Sequence, residues 1–419
     1  MITGAAHHPR RLLAALFPLL LAATLSGCAG RPEGVLVPTA SAAAPGEQVD
    51  ILVATTRQPS KDPGILFSGE RGRDLEATDI AVSIPPAASR EVGEVQWPKR
   101  LPADPAKEFA TVRVAPVKGE AEAGRWLSQH LPPSKRVFVF VHGFNNRYEE
   151  AVYRFAQIVH DSGTEAAPVL FTWPSRASIF DYNYDKESAN YSRDGLEDVL
   201  DQIADNPQVE DIVIMAHSMG SWLTVEALRQ MAIRDGRVAP KIRNVILASP
   251  DLDVDVFSQQ LDTIGKPGPN FTLFVSRDDR ALQLSRRISG SIDRLGQVDP
   301  TVEPYRSEFE EAGITVLDLT ALKSGDRLNH GKFAQSPQVV QLIGSRLLAG
   351  QEITTSDVAL GDRLGAIALG TAQTVGGVAS ATVSAPIAVF DPNTRRTYGE
   401  QLNRVGRSLE NTIVSTVAN

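Results

Sequence analysis

The run Asp211-Ile-Val-Ile-Met-Ala-His-Ser-Met-Gly220, continuing into Ser-Trp-Leu-Thr-Val-Glu-Ala-Leu228, constrains this chain more than any other stretch. Ile212 to Met215 form a short apolar run suited to a parallel strand buried on both faces, and the residues from Met219 onward read as a helix. The chain must therefore turn sharply between them, with Ser218 at the tip. A turn this tight forces its central residue toward strained backbone angles and brings the flanking backbone close, so the positions two before and two after must be very small. Ala216 and Gly220 meet that demand. The usual pattern has glycine at both positions, and Ala216 departs from it by one methyl group. As a bare string, small-x-Ser-x-Gly says little; the buried strand before it and the helix after it make it a turn that presents a nucleophile.

An aliphatic hydroxyl is a poor nucleophile at neutral pH. It needs a histidine to take its proton and a carboxylate to fix that histidine's tautomer. Where such a turn carries the nucleophile of an α/β-hydrolase, the chain order is serine, acid, histidine. The chain has seven histidines and only His330 follows Ser218. It sits in Arg327-Leu-Asn-His-Gly-Lys-Phe333, between a strand-like run at 314–319 and a helix-like run at 337–348, where a loop can carry a base above a sheet. Aspartates stand at two strand ends between these positions: Asp251, Asp253 and Asp255 after Val245-Ile-Leu-Ala, and Asp278 and Asp279 after Phe271-Thr-Leu-Phe-Val. The second strand end is two strands past the serine, the usual place for the acid. Asp279 is the first choice, with Asp278 and Asp253 as alternatives. The group at 251–255 can instead cap the following helix, since a carboxylate satisfies free amides at a helix start.

Acyl transfer also needs donors aimed at the developing oxyanion. The amide of Met219, just after the serine, is one. The second is expected from the loop after an earlier strand, and Arg136-Val-Phe-Val-Phe-Val-His-Gly-Phe-Asn-Asn146 fits, with the amide of Phe144 as donor. His142 is expected to brace this loop by hydrogen bonding, and His217 to have no chemical role. Trp173, Tyr182 and Tyr184, on the stretch between this loop and the serine turn, are candidates for the substrate pocket wall, with plain packing as the alternative. The sequence shows no His-x-x-x-His or comparable metal spacing near these residues, and no cofactor is called for.

His-Gly-Phe-Asn at 142–145, Phe-Thr-Trp-Pro-Ser at 171–175, Tyr184-Asp185 with Ser188-Ala189, Ala-His-Ser-Met-Gly at 216–220, Ser-Pro-Asp-Leu-Asp at 249–253 and Ser-Arg-Asp-Asp-Arg-Ala-Leu at 276–282 resemble a bacterial group of α/β-hydrolases catalogued chiefly as a domain of unknown function. The resemblance runs over roughly residues 50–350. It implies a hydrolase fold and a serine, aspartate, histidine triad, and it supplies no substrate.

Strand-like and helix-like stretches alternate: strands at 137–141, 168–172, 211–216, 243–248, 271–276 and 314–319, helices at 148–161, 187–204, 219–233, 280–291 and 337–348. Such β-α repeats predict a mostly parallel sheet with helices on both faces. Val49 to Thr55 and Asp79 to Ile84 read as antiparallel edge strands at its start. A hydrophobic content of 42% over 419 residues supports one core of about 300 residues with extensions.

The N-terminus carries Arg10-Arg11, an apolar stretch from Leu12 to Leu25, and Leu-Ser-Gly-Cys28. This reads as a secretory leader over 1–27 whose end resembles a bacterial lipobox, with acylation expected at Cys28. The apolar stretch is short for a membrane span and contains Pro18. Cys28 is the only cysteine, so no internal disulfide can form. Residues 28–48 read as a flexible tether, 49–350 as the hydrolase domain, and 351–419 as a tail rich in small residues, uncharged from Leu364 to Phe390. The tail is expected to lie on the domain or remain disordered, with membrane contact or self-association as the alternative. A net charge of −8 gives nucleic acid nothing to bind. The expectation is a lipid-anchored serine hydrolase of the bacterial envelope, at the outer membrane facing the periplasm, acting on an ester or other acyl substrate, small molecule or lipid. Esterase, lipase, thioesterase and amidase share this machinery. The rival is a non-catalytic lipoprotein that keeps the scaffold for binding or assembly.

Overall fold

The apolar runs become strands whose two faces are both covered. A computed structural model describes residues 33–39, 46–323, 325–344 and 388–390. Strands β1 (Glu47–Pro59), β2 (Phe67–Ile84), β3 (Ala110–Val117), β4 (Arg136–Val141), β5 (Ala167–Thr172), β6 (Asp211–His217), β7 (Ile242–Ala248), β8 (Asn270–Val275), β9 (Thr315–Asp318) and β10 (Ala388–Phe390) form one sheet in the order β10-β9-β8-β7-β6-β4-β5-β1-β2-β3. From β1 to β9 across its centre every pair is parallel. The β1–β2, β2–β3 and β9–β10 pairs are antiparallel.

Alternation along each strand divides the core. Val137, Val139, Val141, Ile212, Ile214 and Ala216 face helices α1 (Gly119–His130), α4 (Arg193–Asp205), α5 (Met219–Asp235) and α6 (Val254–Ile264). Phe138, Phe140, Val213 and Met215 face the other way, against α2 (Tyr148–Ser162) and α10 (Pro337–Leu342). Helices α3 (Tyr182–Tyr191), α7 (Arg280–Ile288), α8 (Tyr305–Ala312) and the single turn α9 (Lys332–Gln335) complete the described set. This is an α/β-hydrolase architecture, a mostly parallel sheet between helical layers.

Several expectations need correction. β1 is not an edge strand: its long apolar run pairs with β2 on one side and parallel with β5 on the other, and β3 forms the edge. Several elements that lack a clean sequence pattern escaped it, β3, α1 and α8 among them. The single helix expected over 187–204 is two, broken at Ser192, whose hydroxyl donates to Ser188 O (2.8 Å) and meets Thr56 Oγ1 (2.7 Å). Side-chain bonding of this kind competes with the helical ladder. Within the expected tether, Val35 and Leu36 are buried and Tyr153 donates to Val35 O, because two aliphatic side chains next to an open core gain by entering it. From the tail, 388–390 adds a strand to β9. The leader, Cys28 and the rest of the tail lie outside the described residues. Among the described residues no helix is long and apolar enough to cross a membrane.

Two glycines give opposite predictions. A Cβ on Gly220 would stand 2.3 Å from His142 O and 2.8 Å from Val141 O, so Gly220→Ala must push α5 off the end of β4. Overpacking of that kind costs about 1–3 kcal/mol or more. Gly124, inside α1, has nothing within 4 Å of its would-be Cβ. There Gly124→Ala should stabilise by about 0.5–1 kcal/mol. Denaturant melts of the two variants should move in opposite directions.

Candidate active site

β6 ends at His217 and α5 begins at Met219, leaving Ser218 alone in the turn at φ 53°, ψ −124°. That is backbone strain a serine accepts only where its surroundings over-determine it. The surroundings do so: Ser218 N donates to Ala248 O at 3.0 Å, and Asp251 N donates back to Ser218 O at 3.2 Å. The end of β7 thus grips the turn from the side.

The loop after β4 presses on the turn from the other flank. A Cβ on Gly143 would lie 2.8 Å from both Ser218 Cβ and His217 Nδ1, so only glycine lets this loop approach so closely. Two amides expected as oxyanion donors, those of Phe144 and Met219, thereby end up at neighbouring strand ends, β4 and β6, and neither donates to a protein acceptor among the described residues. His142 braces the loop as expected. Its Nδ1–H donates to Gly143 O (2.8 Å), its Nε2 accepts from Trp173 N (3.1 Å), and its ring stacks on Trp173 at 5.0 Å. Burial, reinforced by the nearby charge of Arg57, drives its pKa down to about 3, so it stays neutral in this one tautomer.

His330 stands on the loop between β9 and α9, and its Nδ1 donates to Asp279 Oδ2 at 2.6 Å. Asp279 is fully buried and does a second task as the N-cap of α7, its other oxygen accepting from Leu282 N at 3.0 Å. The neighbouring Asp278 points elsewhere: it takes Lys332 Nζ at 2.8 Å and Asn329 Nδ2 at 2.9 Å, residues that flank His330 and fasten its loop. Asp253 caps α6 through the amides of Asp255 and Val256. Of the three acid candidates, Asp279 alone meets the histidine. His217 is half-buried and neutral, its pKa pushed well below the ordinary value by desolvation and by His330, and its ring tilts against His330 at 4.6 Å.

Ser218 and His330 line one cavity of about 310 Å³, walled largely by apolar side chains such as Phe140, Phe144, Leu282, Leu284, Ile288 and Phe333. No hydrogen bond joins Ser218 Oγ to His330 among the described contacts, and such bonds commonly tighten only when substrate is bound. Of the three aromatic wall candidates, Tyr182 lines the cavity. Trp173 is buried behind His142, with Nε1 donating to His142 O, and the Tyr184 ring is engaged by the guanidiniums of Arg71 and Arg176; neither lines it. Sequence reasoning missed Asp251 as a wall residue: its carboxylate accepts from Tyr182 Oη (3.0 Å) and Ser285 Oγ (2.5 Å). Only its place beside the serine turn, fixed by the fold, reveals it. Among the described residues no group of His, Cys, Asp and Glu could hold a metal ion.

Burial alone would lower the His330 pKa, but the charge and hydrogen bond of Asp279 outweigh it and raise the pKa above the ordinary 6.5. A base must be neutral to work, so kcat/KM should fall as pH drops through a midpoint above 6.5. In Asp279→Asn burial is opposed only by the lesser pull of Asp326 and Asp251. The midpoint should then move below that of the wild type, and kcat should fall by about two to four orders of magnitude. A pH–rate profile of both proteins on a short activated ester measures this.

The chain is similar in part to several known proteins. An uncharacterized protein, alr1448, of Nostoc sp. is 35% identical over 63 residues, which span 15% of this chain and 16% of that protein. A putative cell surface hydrolase from Lactobacillus plantarum shares 10% identity over 55% of this chain and 98% of its own, with a TM-score of 0.34. An esterase of Pyrobaculum calidifontis shares 12% over 51% of this chain and 77% of its own, with a TM-score of 0.30. The carboxylesterase EstE1, from a metagenomic library, shares 10% over 84% and 100% respectively, with a TM-score of 0.32. A family model, in contrast, matches residues 119–346, from α1 to just past α10. With more than half of its length matched, the chain belongs to the family described as alpha/beta hydrolase of unknown function, DUF900.

Proposed function

We propose that this hydrolase is a serine enzyme cleaving a carboxylic ester or related acyl substrate, with Ser218 as nucleophile, His330 as base and Asp279 orienting the imidazole. One observation carries the reading: a serine at φ 53° and a histidine bonded through Nδ1 to a buried aspartate open into the same cavity. Nothing in ordinary packing calls for that combination. In this mechanism Ser218 Oγ attacks the carbonyl carbon and its proton passes to His330 Nε2, the nitrogen not engaged by Asp279. The carbonyl oxygen takes the negative charge against the amides of Phe144 and Met219. Collapse of the tetrahedral intermediate breaks the ester bond, and His330 returns the proton to the leaving alkoxide. Water, deprotonated by the same histidine, then frees the acid and restores Ser218. The apolar wall favours an apolar acyl group, and side chains exposed at the mouth, Ile179 (61%), Leu284 (53%) and Ile288 (50%), extend that character outward.

The second reading, a scaffold retained for binding, is favoured by the lack of a Ser218–His330 hydrogen bond. A fluorophosphonate decides between the two. The probe should modify Ser218 alone, and Ser218→Ala should abolish labelling without altering the fold; a well-folded wild-type protein left unlabelled establishes the scaffold.

The same proposal includes a place: the bacterial envelope, through acylation of Cys28 at the outer membrane facing the periplasm. The Leu-Ser-Gly-Cys28 sequence supports it. Each acyl chain adds on the order of 0.8 kcal/mol per buried methylene, and two or more chains make a lasting anchor. Cys28→Ser should accumulate as unprocessed precursor, whereas a chain starting after Cys28 behind an ordinary secretory leader should fractionate as soluble periplasmic protein. Continued sedimentation with membranes would place an anchor elsewhere in the chain.

A further inference from the structure

The loop that carries Phe144 is held by residues from two directions, and one of them lies well outside the segment that defines the family. Arg57, on β1, is 1% exposed. Its guanidinium reaches behind the loop: Nη2 donates to Asn146 O at 2.9 Å and meets His142 Nε2 at 3.4 Å, while Nη1 donates to Ser175 O at 3.1 Å and Ser68 O at 3.2 Å. These contacts are to backbone carbonyls and a neutral imidazole, so its forked donors act as a multi-point clasp on backbone. From the opposite direction Asp185, buried on α3, takes Ser175 Oγ at 2.5 Å, Asn145 N at 3.3 Å and Arg176 N at 3.0 Å, and Ser175 Oγ accepts from Asn146 N at 3.1 Å. The motifs Phe-Thr-Trp-Pro-Ser and Tyr-Asp, which the catalytic reading leaves without a task, converge on this one loop.

The β1–β2 hairpin fastens the far side of the brace as well. Gly69 approaches so closely that a Cβ there would stand 2.8 Å from Arg176 Cα and Ser175 O. Glu70 binds Arg176 at 2.8 Å, and Arg71 donates to Tyr184 O and Ser188 Oγ. Residues 173–185 are thus gripped between the hairpin and the oxyanion loop.

We infer that Arg57, acting with the Asp185–Ser175 pair, is a positioning residue that sets the oxyanion loop, so that the β1–β2 hairpin preceding the family segment is part of the catalytic apparatus. The inference rests on the serine hydrolase reading. Loss of the clasp lets residues 143–146 drift from Ser218, and displacement of an oxyanion donor weakens the transition state more than the ground state. Arg57→Lys keeps a charge but cannot span four acceptors, and so should fail like Arg57→Gln.

The test measures steady-state hydrolysis of a short activated ester and the rate of fluorophosphonate labelling in the full-length protein. Arg57→Gln and Arg57→Lys should each lower kcat and the labelling rate by about 10- to 100-fold with KM within about twofold of wild type, a split that a merely loosened fold would not produce. Ser175→Ala, which removes one link without opening a charge-sized hole, should lower kcat about tenfold and serves if the Arg57 variants do not fold. Arg113→Gln, which cuts the Asp50 and Asp79 ion pairs of the same hairpin without touching the loop, should leave kcat within twofold. A labelled wild type with folded Arg57 and Ser175→Ala variants of unchanged kcat, with the loss confined to KM, with full activity in Arg57→Lys, or with equal losses in Arg113→Gln overturns the positioning role alone. An unlabelled wild type overturns it together with the serine reading.

Discussion

The structure turns on one close approach of backbone to backbone, where the loop after β4 meets the turn after β6. Gly220 admits the carbonyls of Val141 and His142, and Gly143 admits Ser218 and His217. Neither glycine could carry a Cβ without moving a main chain. Neighbouring parallel strands bring their C-terminal ends together, and this pair of glycines lets those ends touch. The strained Ser218 is a consequence: its amide and carbonyl are both engaged by the end of β7, which holds the residue in a conformation it would otherwise leave.

Around that contact the charged groups divide tasks. Two consecutive aspartates at the end of β8 have different environments, because successive side chains leave the strand end in different directions. Asp279 turns inward, capping α7 and holding His330; Asp278 turns toward Lys332 and Asn329 and fixes the loop on which His330 rides. One sets the imidazole's tautomer and the other its position. On the β4 side, a neutral His142 and a protonated Arg57 make an equally fixed arrangement; burial lowers the Arg57 pKa only to about 10. A site so bound on both flanks needs little reorganisation to receive charge, the condition under which fixed dipoles stabilise a transition state most.

The cavity wall combines this polar floor with apolar sides. Asp251 is a buried charge in that wall, a carboxylate satisfied by Tyr182 from α3 and Ser285 from α7 and standing 3.5 Å from Arg294 Nε. It ties together the two helices that flank the mouth.

What the sequence by itself determined was which candidate residues stand along the chain and in what order. The Ile-Val-Ile-Met run, the small residues around Ser218 and the lone histidine beyond it specified a strand, a tight turn and a candidate base, because buried parallel strands and strained turns tolerate few residue types. The position of Asp279 two strands later could be counted along the chain; its separation from Asp278 in role could not, since side-chain direction depends on packing. Elements with mixed patterns, α1 and α8 among them, were hidden because tertiary contact rather than periodicity sustains them. Only the tertiary structure decided that β1 lies inside the sheet, that Val35 and Leu36 are core, that Trp173 supports His142 instead of lining the cavity, and that Arg57 lies behind the loop after β4. Each of these depends on contacts between residues far apart in sequence, and such pairings leave no local signature because either partner alone is compatible with many neighbours.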